Sequence, residues 1–139
     1  LAGVKQLIKA LKSCQSVGLL PDQVPPEGQG VWAPFFGKDA YTMTLSARLA
    51  LTAGARVILI WGERLSWGRG YRVHFRPFQA GVDGRLSQDP LEAAGQINAA
   101  MESLVRECPA QYLWSYERYK APAGITHAAR LEAERNRGA

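Results

Sequence analysis

Residues 16–54 constrain this chain more than any other stretch, because a short apolar run there is cut off sharply and a long, nearly uncharged segment follows. Val17, Gly18, Leu19 and Leu20 carry no alternating polar face, and the run stops at Pro21-Asp22-Gln23. An apolar run of that length bounded by turn residues reads as a buried strand of an α/β sheet. Asp22 and Gln23 then fall at the carboxyl end of a strand, where open α/β sheets usually hold their ligands. A loop rich in Pro and Gly (24–29) leads into Gly30-Val31-Trp32-Ala33-Pro34-Phe35-Phe36-Gly37, and a helix is expected from about Asp39 to Ala53. Beyond its first residue that helix carries one charge, Arg48, so most of its circumference has to be covered by other protein.

The remaining elements complete an α/β pattern. Val4, Leu7, Ile8 and Leu11 recur at helical spacing, with Lys5, Lys9 and Lys12 opposite, which predicts an amphipathic helix over 2–13 with a basic outer face. Such a face is ordinarily solvated, and anionic lipid is its alternative partner. Residues 55–61 (ARVILIW) are β-branched and continuous, the pattern of a central strand buried on both faces. In 71–76, Tyr71, Val73 and Phe75 alternate with Arg72, His74 and Arg76, and Pro77 follows, which predicts a strand near the sheet edge. Its basic row either protects an exposed edge or holds phosphates, and edge protection is the simpler reading. Asp89-Pro90-Leu91-Glu92 is a helix start, with an N-cap and Pro in the first turn. Leu91, Ala94, Ile97, Met101, Leu104 and Cys108 form its core stripe, and Pro109 ends it. Tyr112, Trp114, Tyr116 and Tyr119 then stand among Arg118 and Lys120, an aromatic and basic cluster suited either to packing over the sheet end or to a headgroup zone.

A chain of 139 residues supports one domain with a real core. We divide it into residues 1–120, one α/β unit, and 121–139, a charged tail expected to be helical or frayed. The net charge of +5 favours anionic partners without choosing among them. Basic residues are scattered over several elements and form no recognition motif, so a nucleic-acid-binding module is the weaker alternative of another class. Cys14 and Cys108 lie far apart with no CxxC pairing, which predicts reduced thiols of a cytosolic compartment. No apolar run approaches the roughly 18 residues of a membrane span. The chain starts on Leu and enters directly on a helix, from which we expect a partial chain.

Two motifs invite chemistry and fail. Gly37-Lys38-Asp39 lacks the Ser or Thr and the first Gly of a phosphate-binding P-loop. What remains is a helix start with Asp39, Thr42 and Thr44, where capping by Asp39 or Thr42 is the first expectation and phosphate binding the second. The histidines supply no convincing base with its orienting carboxylate. His74 has Gln79 five positions on, and His127 has Glu132, but in the charged tail, so neither is assigned a catalytic role.

Pro21-Asp22-Gln23, then GVWAPFFG, then an uncharged segment rich in Thr, Leu and Ala resembles the lipid A biosynthesis acyltransferases, the lauroyl/myristoyl transferase family. Pro109-Ala110-Gln111-Tyr112-Leu113-Trp114-Ser115-Tyr116-Glu117-Arg118-Tyr119-Lys120 is similar to that family's closing signature, and the two motifs stand in the family's order. The resemblance runs to about Lys120 and covers roughly the second half of such an enzyme. It implies a mixed sheet with helices on its faces, glycerolipid-acyltransferase-like and incomplete, with the N-terminal half missing. It implies transfer of a fatty acyl chain from acyl carrier protein to a hydroxyl of a lipid A precursor, at the cytoplasmic face of the bacterial inner membrane. No metal or organic cofactor is implied. The family's catalytic H-x-x-x-x-D/E pair would lie upstream of the PDQ strand, so no catalytic residue is assigned here and the chain alone is expected to be inactive. Asp22, Gln23, Lys38, Thr42 and Arg118 are the substrate-binding candidates. A phospholipid-making acyltransferase is the near alternative, and the PDQ and FFG residues argue against it.

Overall fold

In the computed structural model, residues 2–79 and 84–124 are described. The element order is α1 (Ala2–Lys12), β1 (Gly30–Phe35), β2 (Lys38–Met43), α2 (Leu45–Ala53), β3 (Ile58–Arg64), β4 (Tyr71–Pro77) and α3 (Pro90–Glu107), with short 3-10 turns at Ser66–Gly68 and Pro109–Gln111. The predicted tail helix, with His127 and Glu132, lies outside the described residues.

The expected helix from Asp39 is instead the second half of a β-hairpin. Strands β1 and β2 pair antiparallel from Gly30↔Met43 to Phe35↔Lys38. Phe36 and Gly37 close the hairpin at φ 47° and 77°. Positive φ at both central residues is the geometry of the tight turns whose twist matches two paired strands. Gly37 tolerates it freely, whereas Phe36 is held there from outside. Its N–H donates to Glu102 Oε1 at 2.7 Å, and the Arg106 guanidinium lies over its ring at 4.9 Å. Ala33, Phe35, Ala40, Tyr41 and Thr42 are buried, and α3 packs against β1.

Helix α2 therefore begins only at Leu45, and its cap is Thr44, whose side chain makes no capping bond. Asp39 and Thr42 do not cap it, because both lie in β2. The expected burial of the uncharged segment nevertheless holds. Ala47, Leu49 and Ala50 are buried, and Gly54 closes the helix in the left-handed region at φ 60°. Helix α3 starts as the sequence indicates, with the Asp89 carboxylate accepting from the Glu92 N–H at 2.8 Å. Ala94, Ile97 and Leu104 of its stripe are buried, but Leu91 in the first turn is about half exposed.

Strands β3 and β4 pair antiparallel, Ile58↔Pro77 through Arg64↔Tyr71, as a second two-stranded sheet. The single sheet expected from the sequence is thus two separate hairpins among the described residues. Strand β3 is not buried on both faces: its burial alternates, with Ile58 and Ile60 more than half exposed. Val17, Gly18, Leu19 and Leu20 form no strand either, and Leu20 is exposed. The physical reason is shared. A short apolar run becomes a strand only when a neighbouring edge takes up its backbone N–H and C=O groups. Strand β3 makes that pairing with β4, and 17–20 with no strand. The row Arg72, His74 and Arg76 on β4 is engaged internally, with Glu63 pairing to Arg72 at 3.3 Å and to His74 Nε2 at 3.0 Å, and Glu107 pairing to Arg76. His74 also stacks flat on Trp61, centroids 4.3 Å apart.

Candidate functional site

The fold brings together two motifs that are some ninety positions apart in the chain. The Pro21-Asp22-Gln23 turn lies against the segment after α3, and an aromatic hydroxyl fastens it there. The Val24 N–H donates to Tyr116 Oη at 2.8 Å. The Asp22 carboxylate lies near the Tyr112 hydroxyl, close enough to act on its ionisation. Burial, together with that carboxylate, pushes the Tyr112 phenol up to about 12, while the nearby Arg118 cation pulls the other way. Tyr112 is therefore a hydrogen-bond donor throughout the physiological range. Gln23 is exposed beside the turn and Asp22 is half-buried.

Asp22 and Tyr112 also line a cavity of about 330 Å³. Its remaining walls are largely apolar, and Leu20, Leu49, Ile60, Met101 and Leu104 among them come from four parts of the chain. A carboxylate and a phenol on the wall of an apolar cavity are the arrangement expected where a polar group must be oriented and an apolar tail accommodated. A second, shallower depression of about 420 Å³ lies between Phe35 and the closing aromatic segment, with Glu117, Arg118 and Lys120 on its walls.

Arg118 is placed differently from the sequence-based expectation. It is 3% exposed and spends its donors inside the protein, on Tyr41 O at 2.9 Å, Thr42 Oγ1 at 2.8 Å and Asn98 Oδ1 at 3.2 Å. Its guanidinium lies 5.2 Å from the centre of the Phe35 ring. Burial lowers its pKa, and the surrounding tyrosines and Asp22 oppose that shift. Thr42 is likewise fully buried, with its hydroxyl donating to Ala40 O and accepting from Arg118 and Asn98. Arg118 and Thr42 therefore belong to one buried network that bolts the β1–β2 hairpin to α3. Lys38 is exposed at the hairpin turn, paired with Phe35. Of the five candidates the structure places Asp22 and Gln23 in one turn, Thr42 and Arg118 in the buried network, and Lys38 at the hairpin end.

Three supporting residues were not among the candidates read from the sequence. Asn98 is 1% exposed and donates to Pro34 O and Thr42 Oγ1, both at 2.9 Å. Its signal was available, since it is a polar residue on the buried stripe of α3 between Ala94 and Met101. Gln111 pairs both amide groups with the backbone of Arg64, accepting from its N–H at 2.7 Å and donating to its C=O at 2.9 Å. Tyr119 donates to Phe35 O at 2.8 Å. The closing motif thus works as a set of clasps: Gln111 on β3, Tyr112 and Tyr116 on the PDQ turn, Arg118 and Tyr119 on the β1–β2 hairpin. Among the described residues no cluster of His, Cys, Asp and Glu is suited to a metal ion, and no helix is long and apolar enough to cross a membrane.

Known proteins are similar to this chain over most of its length. The family described as bacterial lipid A biosynthesis acyltransferase matches residues 1–121. The chain is 30% identical over 128 residues to the lipid A biosynthesis lauroyltransferase of Escherichia coli (strain K12), which is 88% of this chain and 40% of that protein. It is 28% identical over 123 residues to the lipid A biosynthesis palmitoleoyltransferase of the same organism, 87% of this chain and 39% of that protein. A lipid A biosynthesis acyltransferase of Haemophilus influenzae (strain ATCC 51907 / DSM 11121 / KW20 / Rd) is 27% identical over 112 residues. The chain spans about two fifths of the length of the first two relatives. With a family match over residues 1–121, the chain belongs to the bacterial lipid A biosynthesis acyltransferases.

Proposed function

We propose that this chain forms the acceptor-orienting and acyl-holding part of an enzyme that moves a fatty acyl group from acyl carrier protein to a hydroxyl of a lipid A precursor. The observation that carries the reading is the Asp22–Tyr112 pair on the wall of the apolar cavity. In this reading the cavity takes the hydrocarbon chain. Asp22 and Gln23 bind hydroxyl or amide groups of the acceptor, and Tyr112 keeps the carboxylate aimed. Acyl transfer to a hydroxyl needs a general base and an orienting carboxylate close to the acceptor oxygen. We assign that base to residues outside this chain, treat His127 with Glu132 as a chance match, and expect the chain alone to bind without turning over. The thioester supplies the activated acyl group, so no metal or organic cofactor enters the scheme. The site of action is the cytoplasmic face of the bacterial inner membrane.

The test offers the purified chain fatty-acyl carrier protein and a lipid A precursor, and measures binding and turnover separately. Binding of the precursor, weakened strongly by Asp22→Ala with the fold retained, is the expected result. Asp22→Ala binding as wild type would reduce Asp22 to a turn residue. Turnover abolished by His127→Ala would overturn the placement of the base outside the chain.

A further inference from the structure

The β3–β4 hairpin carries an exposed apolar surface, whose Ile58 and Ile60 end borders the cavity that Asp22 and Tyr112 line. Because the two strands pair Ile60↔Phe75, Gly62↔Val73 and Arg64↔Tyr71, these residues share one face, while Glu63, His74 and Arg72 share the other. On the first face Ile58, Ile60, Tyr71, Val73 and Phe75 are each more than half exposed. At the tip, Trp67 is 96% exposed and sits at φ 60°. A non-glycine residue in the left-handed region costs on the order of 1 kcal/mol, and a fully solvated indole returns nothing for it within the fold. Gly68 and Gly70 beside it, at φ 67° and 88°, shape the tip so that Trp67 projects.

The charges around this face have one sign. Arg64 lies on it next to Tyr71, and Arg69 is at the tip, where its guanidinium bonds Ser66 oxygens. Among the described residues neither forms an ion pair, whereas the one hairpin carboxylate, Glu63, is turned to the opposite face and engaged by Arg72 and His74. An apolar face, a projecting Trp, a Tyr at the same end and two unpaired arginines match the boundary of an anionic bilayer: hydrocarbon below, ring-level headgroups, phosphates around the cations.

We propose that the β3–β4 hairpin docks this chain on an anionic lipid surface, with Trp67 inserted at the headgroup level and Arg64 and Arg69 on lipid phosphates. This rests on the reading that the chain acts on a membrane lipid, and it moves the membrane contact away from the closing aromatic segment, where Arg118 is buried. The other two basic or aromatic surfaces, the α1 lysines and the exposed Leu113–Trp114 pair, serve as comparisons.

Vesicles of phosphatidylglycerol with phosphatidylethanolamine, and of phosphatidylcholine alone, are sedimented with the wild-type chain and with three variants. These are Trp67→Ser with Phe75→Ser, Arg64→Gln with Arg69→Gln, and Lys5→Gln with Lys9→Gln, each checked for fold by circular dichroism. The wild type is expected on the anionic vesicles only. The apolar double variant should lose about tenfold or more in binding, since it removes the inserted area. The arginine pair should lose roughly fivefold per charge at low salt and little at high salt. Bromolipid quenching of indole fluorescence should largely vanish with Trp67. Unchanged binding by the hairpin variants, loss confined to the lysine variant or to Leu113→Ser with Trp114→Ser, or a hairpin-dependent dimer that ignores vesicles would each overturn the proposal. Lipid A precursor binding is measured on the same variants without vesicles. If it fails while vesicle docking holds, the acyltransferase reading falls and the docking surface stands.

Discussion

Arg118 decides whether the closing motif binds substrate or builds the fold, and replacing it by Met separates the two. Met keeps much of the side chain's length and removes the charge and all its donors. Tyr41 O and Asn98 Oδ1 then lose their bonds at 2.9 and 3.2 Å inside a region that water does not reach, while Thr42 Oγ1 keeps its bond from Asn98. Each orphaned buried acceptor costs about 1–3 kcal/mol. Removing the cation also removes the cost of burying it, so the net loss is smaller than the largest sum, about 3 kcal/mol. With a urea dependence of about 2 kcal/mol per molar, the unfolding midpoint should fall by about 1.5 M. Arg118→Lys should do no better. Its ammonium keeps the burial cost but replaces a planar fork that reaches three acceptors with a point donor. A phosphate-binding surface cation would behave in the opposite way: Lys would preserve most of the function, and Met would leave stability untouched. Denaturant unfolding followed by circular dichroism reads the difference. A Met variant with a wild-type midpoint would refute the structural assignment.

Gly30→Ala should also destabilise, by about 1–3 kcal/mol, because the added Cβ would stand 2.6 Å from Thr42 O and 2.8 Å from Pro25 Cγ, and a backbone oxygen has little room to yield; the melting temperature should drop by several degrees. Asp89→Ala removes the bond to the Glu92 N–H and should cost about 1 kcal/mol, with an amide-exchange signature confined to the first turn of α3. Tyr112 keeps its proton to about pH 12 in the fold against 10.0 unfolded, so its contribution to stability is complete below pH 10 and is lost as pH rises toward 12. Ultraviolet titration of tyrosinate should show it ionising late, with Tyr119 also shifted upward, and Asp22→Asn should bring the Tyr112 transition earlier. A Tyr112 transition unmoved by Asp22→Asn would separate the two groups and remove the support for the pair.

Much of this arrangement was legible in the residues, and the part that was not has one cause. Helices α1 and α3 follow from periodicity and from Asp89-Pro90, which are local signals, and β4 from strict alternation up to Pro77. The Lys38–Met43 strand was misread because Ala40, Tyr41 and Thr42 are all buried, leaving no polar alternation to distinguish a strand from a covered helix. The turn that would have disclosed the hairpin uses Phe36 where Asn or Asp is usual, and its positive φ is supported by Glu102, about 66 positions away. Val17, Gly18, Leu19 and Leu20 read as a strand on composition alone, yet strand formation is decided by a neighbour's edge, which no local window contains. Arg118 looked like a surface cation beside aromatics, because its acceptors on Tyr41, Thr42 and Asn98 come from two other elements. Asp22 was expected at the end of a sheet strand; the turn is there, a local fact, but no strand precedes it, and the tyrosines beside it were visible only as an aromatic cluster.

The clasping of the two motifs bears on how such a site is kept in order. A turn residue has few neighbours of its own, and a half-buried carboxylate such as Asp22 has several staggered positions to choose among. Tyr112 and Tyr116 reduce that choice from outside: one stands beside the carboxylate, the other accepts from the Val24 N–H just beyond the turn. The clasps are anchored in turn, since Arg118 ties the same segment to Tyr41, Thr42 and Asn98, and Gln111 ties its start to the end of β3. A substitution at Arg118 therefore reaches Asp22 without touching it, by loosening the segment that carries both tyrosines. On this argument Tyr116→Phe and Tyr112→Phe should each leave the hairpin network intact and affect only the turn. Arg118→Met should disturb both, so amide-exchange rates at Val24 should rise in all three variants, and those at Tyr41 and Thr42 only in the last. Slow exchange at Val24 in Arg118→Met would show that the turn holds its own geometry and that the two motifs are merely adjacent.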